Sequence, residues 1–130
     1  RRLSFSPLVT VVSYASAGVE PRIMGIGPVD SSTKALERAG ITMDDLDVIE
    51  LNEAFSAQSL AVMKDLNLNS DDDRLNIDGG ALAIGHPLGA SGARILGKAA
   101  SLLNRENGEY ALASMCIGGG MGIATVLRKY

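Results

Sequence analysis

The sequence contains no tryptophan, one cysteine and one histidine, and aromatic residues make up only 4% of it. With so few rings, the core must be built from Val, Ile, Leu, Ala and Met. A lone cysteine excludes an internal disulfide and fits a reducing compartment. One Cys and one His are also too few for a closed zinc site, so no metal is expected. No apolar run approaches the roughly 18 residues that cross a bilayer, so no membrane partner is expected. Basic residues are not in excess either. A net charge of −3 argues against nucleic acid, whose phosphates need a basic face. Arg1-Arg2 and Arg128-Lys129 are small terminal clusters read as solvated. The chain opens without methionine or a signal-peptide apolar segment. It reads as a piece cut from a longer polypeptide, with cytoplasm as the default compartment.

What is present is a chain of 130 residues, 46% apolar, with 15 glycines. That length makes one domain with a sizeable core. Residues 8–14 are a β-branched run and predict a buried strand. Glycine and proline then punctuate a loop over residues 18–28. Asp30, Ser31 or Ser32 can cap a helix that Gly40 stops. Thr42 and Asp45 have capping-box spacing, and residues 48–51 predict a second strand. A helix pattern follows over residues 53–64, then an acidic surface loop at 69–73. Between residues 90 and 103 small and apolar residues run almost all the way round, which predicts a helix buried on most sides. Residues 110–116 and 123–127 predict an antiparallel pair of strands. The order is β-α-β-α-α-β-β, an α/β domain with a mixed sheet.

The chemistry concentrates in two glycine-rich stretches. Residues 79–94 hold His86 between Gly85 and Pro87 and run into a helix pattern; glycine admits close backbone approach and proline stiffens the chain. Residues 116–122 hold Cys116 beside four glycines. Familiar alternatives fail. Gly80 and Gly85 have phosphate-loop spacing, but His86-Pro87 stands where Lys-Ser/Thr is required. Gly92 and Ala93 break the hydrolase elbow around Ser91. A calcium loop ending near Gly79 would place Arg74 at its first ligand position. The glycines near residue 120 do not lie between a strand and a helix, as a dinucleotide loop requires.

Each remaining residue has a plain reading beside the functional one. Asn52, at a strand-to-helix junction, is either an N-cap or an amide aimed at a water or ligand at the sheet edge. His86 is either a satisfied loop histidine or an acid–base and oxyanion donor. Cys116 is either a small buried apolar residue or a thiol beside backbone N–H groups that can bind an oxyanion. Phe55 alone reads as core. A histidine and a cysteine each held by glycines point to acyl chemistry on a thioester.

Asn52-Glu53-Ala54-Phe55, then Gly85-His86-Pro87-Leu88-Gly89-Ala90-Ser91-Gly92, then Cys116-Ile117-Gly118-Gly119-Gly120 resemble, in order, the three C-terminal signatures of the thiolase family. The loop at 18–28 is similar as well. The resemblance runs from Pro7 to Arg128; it makes residues 7–130 a thiolase C-terminal domain and leaves 1–6 as an unassigned tail. It implies half of the thiolase fold, with a mixed sheet of five-stranded type and layered helices. The implied reaction is thiolysis of a 3-ketoacyl-CoA or, in reverse, Claisen condensation, with CoA and acyl-CoA as substrates and no permanently bound cofactor.

By the same resemblance, His86 activates the nucleophilic cysteine and helps to form an oxyanion hole, where Asn52 holds a water. Cys116 is the acid–base cysteine, the Gly118 N–H serves a second oxyanion hole, and Phe55 lies near the acyl pocket. The nucleophile and most of the CoA-binding loop would come from an N-terminal half. A homo-oligomer, dimer or tetramer, is expected. An acetyl-CoA acetyltransferase is the first expectation, with broad-range 3-ketoacyl-CoA and β-ketoadipyl-CoA thiolases as alternatives. A non-catalytic fragment or association module, inactive alone, is the reading from another class. Asp78 departs from the family's more usual Asn.

Overall fold

The computed structural model describes residues 4–130; Arg1 and Arg2 lie outside the described residues, as does the first half of the 1–6 tail. Burial alternates through β1 (Val9–Gly18), where Ser13, Ala15 and Ala17 are covered while Tyr14 and Ser16 face out. That is the period of a strand with one covered face. A 3₁₀ turn over Pro21–Ile26 leads into α1 (Gly27–Ala39), which ends on Gly40 at φ 70°, the left-handed stop expected of glycine.

The start of α1 corrects the expected caps. Pro28 opens the helix, where a missing N–H costs nothing, so Asp30, Ser31 and Ser32 fall inside it. The two serines are buried and bonded instead. Ser31 Oγ donates to Pro28 O at 3.3 Å, and Ser32 Oγ donates to Ser114 Oγ at 3.0 Å. The capping box at Thr42 forms as expected, with Asp45 Oδ2 accepting from Thr42 N and Oγ1 at 2.7 Å each.

The remaining elements are β2 (Val48–Leu51), α2 (Ser56–Asp65), the single turn α3 (Ala81–Ile84), α4 (Leu88–Arg105), β3 (Tyr110–Ile117) and β4 (Met121–Lys129). The sheet order is β1-β4-β3-β2, antiparallel except for the parallel β2–β3 pair. Among the described residues the sheet has four strands, not the five that the resemblance implied. At the free edge of β2, Ile49 N–H donates to Arg74 O and Asn76 N–H donates to Ile49 O, both at 2.8 Å. This single parallel bridge at Leu75 stands where a fifth strand would lie. Arg74 holds the segment there by an ion pair with Asp72 at 2.7 Å and bonds to Met43 O and Leu46 O at 3.0 and 3.1 Å.

Helices cover both faces of the sheet. One core joins Ala35 and Leu36 of α1 to Ile49, Leu112, Ala124 and Val126. The other joins Ile95, Ala99, Leu102 and Leu103 of α4 to Val48, Ala111, Ala113 and Leu127. The α4 contacts recur at three- and four-residue spacing, one stripe of the helix. Its far side, with Gly89, Ala93, Gly97 and Ser101, is exposed, so α4 is not buried on most sides. Small size, which reads as burial in a sequence, here marks an open helix face.

Candidate active site

β2 ends at Leu51, and Asn52 continues the sheet for one residue by donating its backbone N–H to Ser114 O at 2.9 Å. The chain then bends, with Ala54 N–H donating to Asn52 O at 3.1 Å, and α2 begins only after Phe55, which occupies its N-cap position. Asn52 is therefore not a helix N-cap. It is fully buried, and its amide turns toward two residues distant in sequence. Asn52 Nδ2 lies 3.4 Å from His86 Nε2, and Arg94 on α4 points a guanidinium nitrogen at Asn52 Oδ1 from 3.5 Å.

His86 sits between Gly85, at φ 91°, and Pro87 at the start of α4. Its Nδ1 lies 2.6 Å from Ser91 Oγ, and Ser91 Oγ donates its one proton to Pro87 O at 3.1 Å. The proton assignment that satisfies every contact runs one way. Arg94 donates to Asn52 Oδ1, Asn52 Nδ2 donates to His86 Nε2, and His86 Nδ1–H donates to Ser91. The imidazole thus presents an unprotonated Nε2 on the side of Asn52. The two outer contacts are long for hydrogen bonds, which leaves that nitrogen free to exchange its partner.

Cys116 approaches from the other side, near the end of β3. The chain then turns through Gly119 and Gly120, both at φ 78°, and returns as β4. Val19 N–H donates to Gly120 O at 2.7 Å and ties the turn to the loop that follows β1. Gly122 packs against the backbone of Gly27 so closely that a Cβ at either position would overlap main-chain atoms. Burial pushes the half-buried Cys116 thiol above its ordinary pKa, so it is protonated at neutral pH.

His86, Cys116, Gly118 and Phe55 line one pocket of about 390 Å³, together with Met24, Ala54, Leu88, Met115 and Ile117. Asn52, in contact with His86 Nε2, completes the set. Phe55 is 62% exposed, so its reading as core is corrected. Ser91 and Arg94 were not singled out in the sequence for these roles. The signal for Ser91 was its place in the Gly-His-Pro stretch, one helical turn beyond Pro87.

Beneath this site lies Glu50, 1% exposed on β2. Neither carboxylate oxygen has a protein partner, and Arg94 Nε is likewise buried without one. Burial pushes the Glu50 carboxyl up to about 7, against the pull of Arg94 and Lys98. Asp78, the departure from the usual Asn, accepts from Lys98 and from both terminal nitrogens of Arg105. These bonds hold its carboxyl well below the ordinary range. Among the described residues no group of His, Cys, Asp and Glu is arranged to hold a metal ion.

Residues 5–129 match the family profile described as the C-terminal domain of thiolase. The chain belongs to the thiolase family. This thiolase domain is 54% identical over 124 residues to the 3-oxoadipyl-CoA/3-oxo-5,6-dehydrosuberyl-CoA thiolase of Escherichia coli strain K12, covering 95% of the chain and 31% of that protein. It is 52% identical over 126 residues to the acetyl-CoA acetyltransferase of Syntrophomonas wolfei, covering 97% of the chain and 32% of that protein. Its fold matches the crystal structure of human mitochondrial 3-ketoacyl-CoA thiolase with a TM-score of 0.93 at 47% identity, over 97% of the chain and 31% of that structure. A crystal structure of the same human enzyme in complex with CoA matches equally well. The thiolase domain spans about a third of the length of the curated relatives it matches.

Proposed function

We propose that this domain supplies the acid–base and oxyanion half of an acyl-CoA acyltransferase. In that reading the full-length protein cleaves 3-ketoacyl-CoA with free CoA, or condenses two acyl-CoA molecules in reverse. The acylated cysteine comes from an N-terminal half, since this chain has a single cysteine. The observation that carries the reading is the one-way bond chain that leaves His86 Nε2 unprotonated, as a base, on a ring that lines the same pocket as Cys116.

The steps follow from that arrangement. His86 Nε2 takes the proton of the incoming nucleophilic thiol. The resulting Nε2–H then points at the thioester oxygen as charge develops there, with a water held by Asn52 as the second donor. Cys116, protonated at neutral pH, gives its proton to the α-carbon as the carbon–carbon bond breaks. The thiolate left behind takes the proton of the attacking CoA, which restores the site. The Gly118 N–H faces the second thioester oxygen. Met24, Phe55, Leu88 and Met115 line the pocket with apolar side chains, which suits an acyl chain; an acetyl-CoA acetyltransferase-type activity is the first reading.

The same reading gives the domain a sister half and an oligomeric partner. Leu8 just before β1, Val11 and Tyr14 on β1, and Leu82, Ile84 and Leu88 around the site, are all more than half exposed, an apolar surface suited to such contacts. Acetoacetyl-CoA cleavage with free CoA tests the proposal. The full-length protein is expected to be active, the isolated domain inactive, and full-length His86→Ala or Cys116→Ser slower by about a hundredfold or more. A full-length Cys116→Ser variant within a few-fold of wild type would remove the acid–base assignment. A well-folded, inactive full-length protein would favour the non-catalytic association module.

A further inference from the structure

Asn52 and His86 lie 34 residues apart and meet through a contact of 3.4 Å, too long to set their separation. Something else holds them in register. The bonds around them identify it. Asn76, in the left-handed region at φ 44°, turns its side chain onto the last residue of β2. Leu51 N–H donates to Asn76 Oδ1 and Asn76 Nδ2 donates to Leu51 O, both at 2.9 Å. One side-chain amide thus pairs with both backbone groups of Leu51, as a neighbouring strand would. Leu51 directly precedes Asn52.

Glu53, directly after Asn52, closes the other flank. Its Oε1 accepts from Asn76 Nδ2 at 3.1 Å, and its Oε2 accepts from Leu82 N–H at 2.9 Å. Leu82 lies four residues before His86. Gly80 is bare beneath these bonds, since a Cβ there would stand 2.5 Å from Glu53 Oε2 and 3.0 Å from Asn76 Nδ2. The residues on both sides of Asn52 are therefore bonded to the segment that delivers His86.

We infer that Glu53 and Asn76 are positioning residues that set the separation of Asn52 and His86. The inference rests on the acyl-transfer reading of that pair. Neither side chain touches the pocket; both act through Asn52 and the His86 loop. Misplacing such a pair by a fraction of an ångström lowers turnover without a matching loss of substrate binding.

The test uses the full-length protein and Asn76→Asp, which keeps size and the acceptor for Leu51 N–H. It puts an oxygen where Nδ2 met Leu51 O and the Glu53 carboxylate. At pH 8 kcat for acetoacetyl-CoA cleavage is expected to fall about tenfold with KM within about twofold. Glu53→Gln, which keeps one acceptor of two, should show a smaller fall of the same kind. A second readout is the ¹⁵N imidazole resonance that disappears in His86→Gln; it should move in both variants.

A folded Asn76→Asp protein with unchanged kcat and an unmoved His86 resonance would overturn the inference. So would a drop in melting temperature with unchanged turnover per folded molecule, which marks a purely structural role. If Asn76→Asp does not fold, Glu53→Gln decides by the same two readouts. If the wild type cleaves no 3-ketoacyl-CoA, the acyl-transfer reading falls, and the resonance still reports whether these residues position His86.

Discussion

The two glycine-rich stretches that carry the chemistry are held in different ways. The segment ending at His86 is fixed by side chains: Ser91 at the ring, Asn76 and Glu53 behind it. The turn after Cys116 is fixed chiefly by backbone, through the β3–β4 ladder, the Val19–Gly120 bond and the Gly27–Gly122 contact. The first arrangement can be adjusted one polar group at a time. The second is a matter of fit and fails all at once. Substitutions near His86 should therefore change rates and pH profiles, whereas those near Cys116 should first change stability.

Gly122→Ala should give the largest effect. Its methyl group would enter the backbone of Gly27 and Pro28, which cannot swing aside as a side chain can. A loss of about 3 kcal/mol is expected, the upper end of the cost of overpacking, and urea unfolding measures it. A loss below about 1 kcal/mol would mean that the turn yields and that the contrast between the two stretches is false.

Ser91→Ala should act on turnover instead. It leaves His86 Nδ1–H without its acceptor and frees the ring to take the other tautomer, so kcat should drop about tenfold with little change in unfolding free energy. Equal losses in stability and rate would erase the distinction just drawn.

A pH dependence of stability is also expected on the His86 side. Glu50 lies under α4, with Arg94 and Lys98 pulling its carboxyl down and Asp78 and Glu53 pushing it up, while burial dominates and raises it to about 7. In the unfolded chain it titrates near 4.5. The folded protein therefore holds a proton that the unfolded chain releases, and stability declines as pH rises from about 4.5 through about 7. Above that window the contribution of Glu50 is constant. Glu50→Gln should flatten this part of the melting-temperature profile; a profile with the same slope in the variant would assign the slope to another group.

Much of this was legible in the sequence because it is local. Gly40 ends α1 as its lack of a Cβ predicts, Thr42 and Asp45 form their box, and β3 and β4 pair across the triple glycine. The glycine-flanked histidine and cysteine were visible as chemistry, and the structure brings both to one pocket. What was hidden depends on partners far along the chain. Read from the junction alone, Asn52 fitted a cap as well as a ligand-facing amide, and only the resemblance paired it with His86; the structure sets the two side chains 3.4 Å apart across 34 positions. Ser31 and Ser32 looked like caps until Ser114 on β3 and Pro28 appeared as their partners. The small residues of α4 looked buried, since nothing in a sequence separates a face packed on a sheet from one left open.

The direction of the bond chain through His86 has one more consequence. Ser91, behind the ring, commits its own proton to the Pro87 carbonyl, and no carboxylate is bonded at that end of the imidazole. A proton that enters at Nε2 has no rear exit. It is held by the dipoles of a hydroxyl and a peptide group, not by a full negative charge, and it must leave through the nitrogen by which it arrived. The site behaves as a reservoir with a single opening, which returns what it borrows to the same pocket.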